Sequence, residues 1–499
     1  MGRAVEGNLL TMQELETNRL LILTKYKKYL QNQLSKLADY SNKFEYPHIE
    51  DIGFECEGWF INDKLLPNPV YDQVVELVPD LGRELISCQW EVRNEENNLI
   101  KLQDTLQQTN DCVKGVFAPI QDAAQKCNTK LLIIGGHPFF TEELANGMIT
   151  NSKRHQKLIK YIDSYDTNNP VINFTTGDEP RQGMIYEGYT TSIQITIRVS
   201  PIFASLYHDA YYLIAPILLA MTAYSPIIEG KETLSDSTRV KIVGDSCYGF
   251  SEEDKSIGMP SRWGPFPPIS QPDTVPSKWA NQDMYNLLRS NKVPNGISLH
   301  FAEVAGKEKG HLLVTDTDLE IDPLEGFPSP IMWPYVKIQP FGMNEGGILM
   351  ELRFIEMVRK KEEISLLLHF LGTMLEVVTS DLHLQKLCPL KLVHFNENEK
   401  TCSLQNALSL NKAINWPHNG EVIKRPVKDI VRELLDKMVS HFHKNGRTLE
   451  EIEEICNVFV NRVGLRIKGD SIEECNPTET AAQEMRRKGP TQMIEEYLF

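Results

Sequence analysis

Four short segments of this chain alternate apolar and polar residues with a period of two, and each gathers its charged or amide groups on one side. In TTSIQITIRVS (190–200), Ile193, Ile195, Ile197 and Val199 fall on one face and Ser192, Gln194, Thr196 and Arg198 on the other. GFECEGWF (53–60) sets Glu55 and Glu57 against Phe54 and Cys56. SCQWEV (87–92) sets Gln89 and Glu91 against Trp90 and Val92, and LMELRF (349–354) sets Glu351 and Arg353 against Leu352 and Phe354. A period of two is the side-chain repeat of a β-strand. Strands of this kind demand a sheet with one packed face and one polar face, as antiparallel sheets have. Each polar face taken singly reads as a solvated surface; the four together also describe the lining of a polar cavity.

The stretches between these strands read as helices. Leu20, Leu23, Tyr26, Leu30, Leu34 and Leu37 recur at helical spacing and predict a long helix over about 12–44. Further helices are predicted over 98–127, 205–225 and 362–384, with a pair over 422–463 joined at 444–448. No βαβ rhythm is present, which points to an α+β fold, one antiparallel sheet with helices on a single face. Residues 259–276 hold six Pro and two aromatics and predict a loop without regular structure. The predicted organisation is an N-terminal helix packing on the body (1–48), a catalytic domain (49–384), a helical C-terminal extension (385–470) and a loosely docked polar tail (471–499).

With 499 residues, 41% of them hydrophobic and 24% charged, the chain can bury a large core. A net charge of −16 argues against nonspecific binding to nucleic acid or to anionic membranes. The apolar run 211–224 is too short to span a bilayer and carries Pro216. The N-terminus has no apolar core of the kind a signal peptide needs, and the nine Cys include no CxxC pair, so a cytoplasmic protein with reduced thiols is expected.

In GFECEGWF the strand period puts Glu55 and Glu57 about 7 Å apart on one face. Carboxylates repel one another unless cations neutralise them, and oxygen ligands of this kind build sites for Mg²⁺ or Mn²⁺. Arg239 and Arg353 can then meet phosphate oxygens, which the planar guanidinium fork suits. The constellation suggests metal–nucleotide phosphoryl transfer, in which positioning and charge neutralisation carry the catalysis. There is no GxxxxGK[ST], GxGxxG or HExxH motif. The segment Gly244–Gly249 has one residue too many for a nucleophile elbow. His137, in GGHPFF, has two readings: a loop entering an active site, or a turn histidine capped by Pro138.

At these same residues the chain resembles the glutamate–cysteine ligase family 2 group, which includes plant and proteobacterial γ-glutamylcysteine synthetases and bacterial carboxylate–amine ligases. The match runs in chain order over about 50–360. GFECEGWF is similar to the family's first acidic strand, Gln89-Trp90-Glu91 to its Gln-x-Glu strand, and GGHPFF to its Gly-x-His-Pro-Phe turn. Lys153-Arg154-His155 stands where the family has Arg-Tyr, Thr191–Thr196 resembles its Thr-x-x-x-Gln-x-Asn strand, and 220–226 with Gly230, Ser237 and Arg239 follow before Glu351-Leu352-Arg353.

The resemblance implies a glutamine-synthetase-like fold, an antiparallel sheet curved into a half-barrel funnel that holds Mg²⁺-ATP. It implies metal ligation by Glu55, Glu57, Glu91 and Glu351. Gln194, Thr196, Arg239 and Arg353 would lie near the nucleotide, the two arginines acting in catalysis, and Arg154, His137 and Thr191 near the substrates. The implied reaction phosphorylates a carboxylate, typically the γ-carboxylate of glutamate, and an amine captures the acyl phosphate. Small-molecule substrates are the implied partners, cysteine the leading amine, and a homodimer is compatible. Another amino acid, a polyamine or a protein lysine as acceptor, or a noncatalytic relative that binds a partner, are the alternatives. Thr196 and Arg198 replace the Asn and Asp of the family pattern, His155 its Tyr, and Glu356 its Asp.

Overall fold

The computed structural model describes residues 8, 10–35, 46–94, 100–165, 167–256, 259, 261–264, 268–270, 274–308, 315–316, 319–320, 322, 333–339, 347–384, 413–418 and 421–499. Its centre is a six-stranded sheet, among the described residues, built from β1 (Ile49–Ile61), β2 (Gln89–Arg93), β3 (Lys130–Leu132), β4 (Ile193–Val199), β5 (Val336–Gln339) and β6 (Ile348–Leu352). The order is β5-β6-β4-β1-β2, and β3 pairs with β1 beyond the end of β2, so that Trp59 is shared by both. Every pairing is antiparallel. All four alternating segments of the sequence are strands of this one sheet.

The apolar face carries the core. Phe54, Cys56, Trp90, Ile193, Ile195 and Ile197 are all essentially without exposure. Helices α1 (Met12–Ser35), α2 (Leu106–Lys126), α3 (Ala204–Thr222), α4 (Thr238–Ser246), α5 (Glu362–His383), α6 (Val427–Lys444) and α7 (Leu449–Val460) surround it. Of these, α2, α3 and α5 pack directly on the strands. Helix ends follow local chemistry: Thr105 and Thr448 cap α2 and α7, each side chain accepting from the backbone N–H three residues on while its own backbone N–H donates to the side chain there, Gln108 or Glu451.

Several expectations need correction. The pair predicted over 422–463 begins later, because Glu421–Pro426 forms a hairpin with Ala413–His418 and α6 starts at Val427. The reason is Pro426, which lacks an N–H and holds Arg425 extended. The part of the first helix over 36–44 lies outside the described residues, as does all of 385–412. Within 259–276, Trp263–Gly264 pairs in parallel with Trp333–Pro334. The last residues are not loosely docked. Met485, Met493 and Ile494 are fully buried, and Phe499 exchanges two backbone hydrogen bonds with Leu131 at the edge of β3. Among the described residues one helix, α5, is long and apolar enough to cross a membrane, and it is 89% buried within the molecule.

Candidate active site

The register places the polar residues in rows across five strands. Glu57 lies opposite Glu91, and Glu55 lies between Arg93 and Gln194. Thr196 sits between Gly53 and Glu351, with Lys337 next in the row. Gly53 leaves Thr196 without a side-chain neighbour on β1, while Glu351 stands beside it on β6.

Glu57 is the best-held carboxylate. Its Oε2 accepts from the backbone N–H (2.7 Å) and hydroxyl (3.2 Å) of Ser192, and its Oε1 accepts from Gln194 Nε2 (2.9 Å). Burial still lifts its pKa above the ordinary carboxylate range, with Arg239 and these hydrogen bonds pulling back. Burial and the charges of Glu91 and Glu351 push Glu55 up to about 7. Glu351 moves the other way. Burial is outweighed there by Arg353, with which it forms an ion pair, by Lys337, and by Gln339 Nε2 donating to Oε2 at 2.7 Å.

Arg239 and Glu356 complete the charged face. Arg239, near the start of α4, is 5% exposed, and its Nε and Nη1 have no hydrogen-bond partner among the described residues. Its guanidinium lies 5.6 Å from the Trp263 ring centre and feels the charges of Glu57, Glu187 and Glu356. Glu356, fully buried, is lifted to about 7 by burial, with Ser225, Ser237 and Arg239 pulling the other way. Its carboxylate rests on Gly135, where a Cβ would come within 2.6 Å of Oε1, and a Cβ on Gly136 would strike the Tyr189 ring. The Gly-Gly pair of GGHPFF is therefore required by close approach.

The remaining sequence-derived residues are placed differently. His137 is wholly buried, its ring 5.1 Å from Trp59, and burial lowers its pKa to about 3. Its Nδ1 accepts from the N–H of Phe139, which matches the turn-histidine reading. Thr191 is buried, donating to the carbonyl of Ile134 and accepting from Trp59 Nε1. Arg154 belongs to the helix Lys153–Ile162, and its side chain lies outside the described residues. Arg198, the basic departure from the family pattern, is 3% exposed and paired with Asp51, so its charge is neutralised inside the sheet.

Glu84, Glu187 and Gln339 also belong to the site, and the sequence reading missed all three. Carboxylate oxygens of Glu57, Glu84 and Glu91 lie within 4.8 Å of one another. Strand parity misplaces Glu84 with Ile86 and Cys88, because the chain turns where Gln89 N–H donates to Ile86 O just ahead of β2. Burial and the charges of Glu57 and Glu91 raise Glu84 well above its usual range. Glu187 sits in a short 3₁₀ helix, Met184–Tyr189, and burial with the charge of Glu57 raises it to about 7. No periodic signal marks that helix. Gln339 shares a face with Lys337 on the short β5, a strand too brief to stand out.

A solved structure of glutamate–cysteine ligase from Francisella tularensis, in complex with AMP, matches this chain with a TM-score of 0.53, covering 91% of this chain and 89% of that one. The two chains share a fold. Sequence identity between them is 10%, so the likeness concerns the arrangement of elements and leaves the site residues to be argued from this chain. No family model matches the sequence, and no curated protein does.

The donor set fits a hard divalent cation. Three oxygens-only ligands within one small volume, each lifted in pKa by burial or by its neighbours, form a site that a cation would stabilise by removing their mutual repulsion. Nε and Nη1 of Arg239, which have no hydrogen-bond partner among the described residues, fit an anion in the same way, since buried donors without an acceptor are costly.

Proposed function

We propose that this chain is an ATP-dependent carboxylate–amine ligase that activates its acid as an acyl phosphate, with glutamate as the acid and cysteine as the leading amine. The observation that carries the reading is one sheet face on which Glu55, Glu57, Glu84, Glu91 and Glu351 meet Arg239 and Arg353. The fold shared with an AMP-bound glutamate–cysteine ligase supports it. The sheet would form the wall of a half-barrel funnel, open on its polar side.

In this reading Glu57, Glu84 and Glu91, with Glu55 and Glu351 alongside, hold Mg²⁺ or Mn²⁺, which supplies charge neutralisation of the nucleotide's phosphates. Gln194 and Ser192 fix the orientation of Glu57, and Gln339 that of Glu351. Arg239 and Arg353 orient the transferring phosphoryl group and stabilise the charge it develops. The substrate carboxylate attacks the γ-phosphorus, ADP departs, and the resulting acyl phosphate is opened by the amine nitrogen with release of phosphate. No arrangement of Ser, Cys or His beside these residues offers a covalent enzyme intermediate among the described residues.

Hydroxylamine tests this without knowledge of the amine, because it is small and strongly nucleophilic. Protein, glutamate, Mg²⁺-ATP and hydroxylamine are expected to yield γ-glutamyl hydroxamate and ADP. Absence of hydroxamate over a panel of carboxylic acids, or release of AMP and pyrophosphate, refutes the acyl-phosphate reading.

A further inference from the structure

The opposite face of the sheet holds three aromatic rings that meet edge to face: Trp90 of β2, Phe117 of α2 and Phe499. Trp90 and Phe117 lie 6.1 Å apart at 90°, Trp90 and Phe499 6.4 Å apart at 89°, and Phe117 and Phe499 5.7 Å apart at 70°. Such geometry is the preferred one for aromatic pairs. Phe499 is held from behind. Its N–H donates to Leu131 O at 3.2 Å, its carbonyl accepts from Leu131 N–H at 3.3 Å, and Lys361 Nζ stands 4.9 Å from its ring centre.

The place it fills is the corner where the edge of β1 passes from β2 to β3. Trp90 lies opposite Gly58 in the register, and its indole occupies the space a side chain there would need: a Cβ on Gly58 would come within 2.2 Å of the ring. The indole is thus clamped between the backbone of β1 and the rings of Phe117 and Phe499. The residues adjoining this clamp, Glu57 beside Gly58 and Glu91 beside Trp90, project from the opposite face, because side chains alternate along a strand. Glu57 and Glu91 are also direct cross-strand partners. Any rotation of Trp90 about its strand therefore moves Glu91 relative to Glu57 and Glu84.

We propose that Phe499 is a positioning residue for the Glu57–Glu84–Glu91 cluster, acting through Trp90 to fix the spacing of the three carboxylates; this rests on the ligase reading of that face. The residue stands behind the site, on the opposite face of the sheet, and comes from a distant part of the chain, so docking of its segment and completion of the site become one event.

Mn²⁺ binding by the full chain, followed through the electron paramagnetic resonance signal of the free ion, tests it without turnover. Phe499→Ala is expected to weaken Mn²⁺ binding about tenfold, in the range for loss of a residue that supports metal ligands. Phe499→Tyr, which keeps the ring, is expected to retain wild-type affinity. Thermal melts of both variants accompany the titration. A folded Phe499→Ala protein with unchanged Mn²⁺ affinity reduces Phe499 to a packing residue and overturns the proposal while the site reading stands. Equal weakening by Tyr and Ala overturns it as well. A wild-type chain that binds no Mn²⁺ overturns the site reading and this inference together. Should the alanine variant unfold, Phe499→Leu takes its place, with a smaller loss expected and full affinity refuting the proposal.

Discussion

Glu55 and Glu351 occupy one electrostatic neighbourhood yet titrate in opposite directions. Glu55 is lifted by burial, Glu91 and Glu351, whereas Glu351 is held down by Arg353, Lys337 and Gln339. Removing charge therefore has different consequences at the two positions. Glu55→Gln is expected to leave metal-free stability unchanged or raised, because it relieves repulsion. Glu351→Gln is expected to lower it, because Arg353 loses its partner. Both should reduce turnover more than about a hundredfold, since a lost ligand disturbs charge and alignment together. Hydroxamate assays paired with thermal melts check this, and near-normal turnover in either variant removes that residue from the site. Cys56 gives a complementary control. It lies between two proposed ligands but points into the core with no exposure, so Cys56→Ser should produce a modest packing defect with catalysis retained in the folded fraction.

At the scale of elements, α5 and α6 are joined to the start of β1 through Glu376. Its Oε1 accepts from the backbone N–H of Ile49 (2.8 Å) and pairs with His48 Nδ1 (3.2 Å), while Oε2 pairs with His441 Nε2 (2.8 Å). Burial alone would raise Glu376, but these partners outweigh it and bring it to about 2. The hydrogen bond His48 donates to Glu376 raises the histidine above 6.5, against burial and with help from Glu50 and Asp51. The signs set the pH window. A depressed carboxylate contributes stability above its unfolded value of 4.5, lost as pH falls towards 2; a raised histidine contributes below 6.5, lost as pH climbs through its folded value. The contribution is therefore greatest between 4.5 and 6.5. Glu376→Gln should cost about 1–3 kcal/mol at pH 6 and less at pH 9, measured by urea unfolding at both values. An equal loss at the two values excludes the ionic part of the contact.

For the whole molecule, ligands that bind only the folded chain raise its stability by mass action. Mg²⁺-ATP at a hundred times its dissociation constant should add about 2.7 kcal/mol, seen as an upward shift of a few degrees in the melting temperature. Arg239→Leu should abolish most of that shift while leaving the unliganded melt near the wild-type value, because two of the guanidinium nitrogens have no hydrogen-bond partner to lose among the described residues. A full ligand shift in this variant removes Arg239 from the nucleotide.

The strands and their two faces were legible in the sequence because side-chain alternation is a local property, set within five to ten residues. Glu55, Glu57, Glu91, Gln194, Glu351 and Arg353 could be assigned to one polar surface for that reason, and the long apolar helices could be found from their own period. Tertiary structure alone decided what lies opposite what. Register made Glu57 the partner of Glu91, a turn ahead of β2 brought Glu84 to them, and a 3₁₀ helix delivered Glu187. Burial, which no local pattern reports, made His137 a packed ring and not an open one, and neutralised Arg198 with Asp51. Phe499 lies 382 residues from Phe117 by subtraction of their numbers, and only the closing of the chain on the edge of β3 puts their rings in contact. Local physics writes the faces of the elements; which groups share a site depends on contacts between segments far apart in the chain.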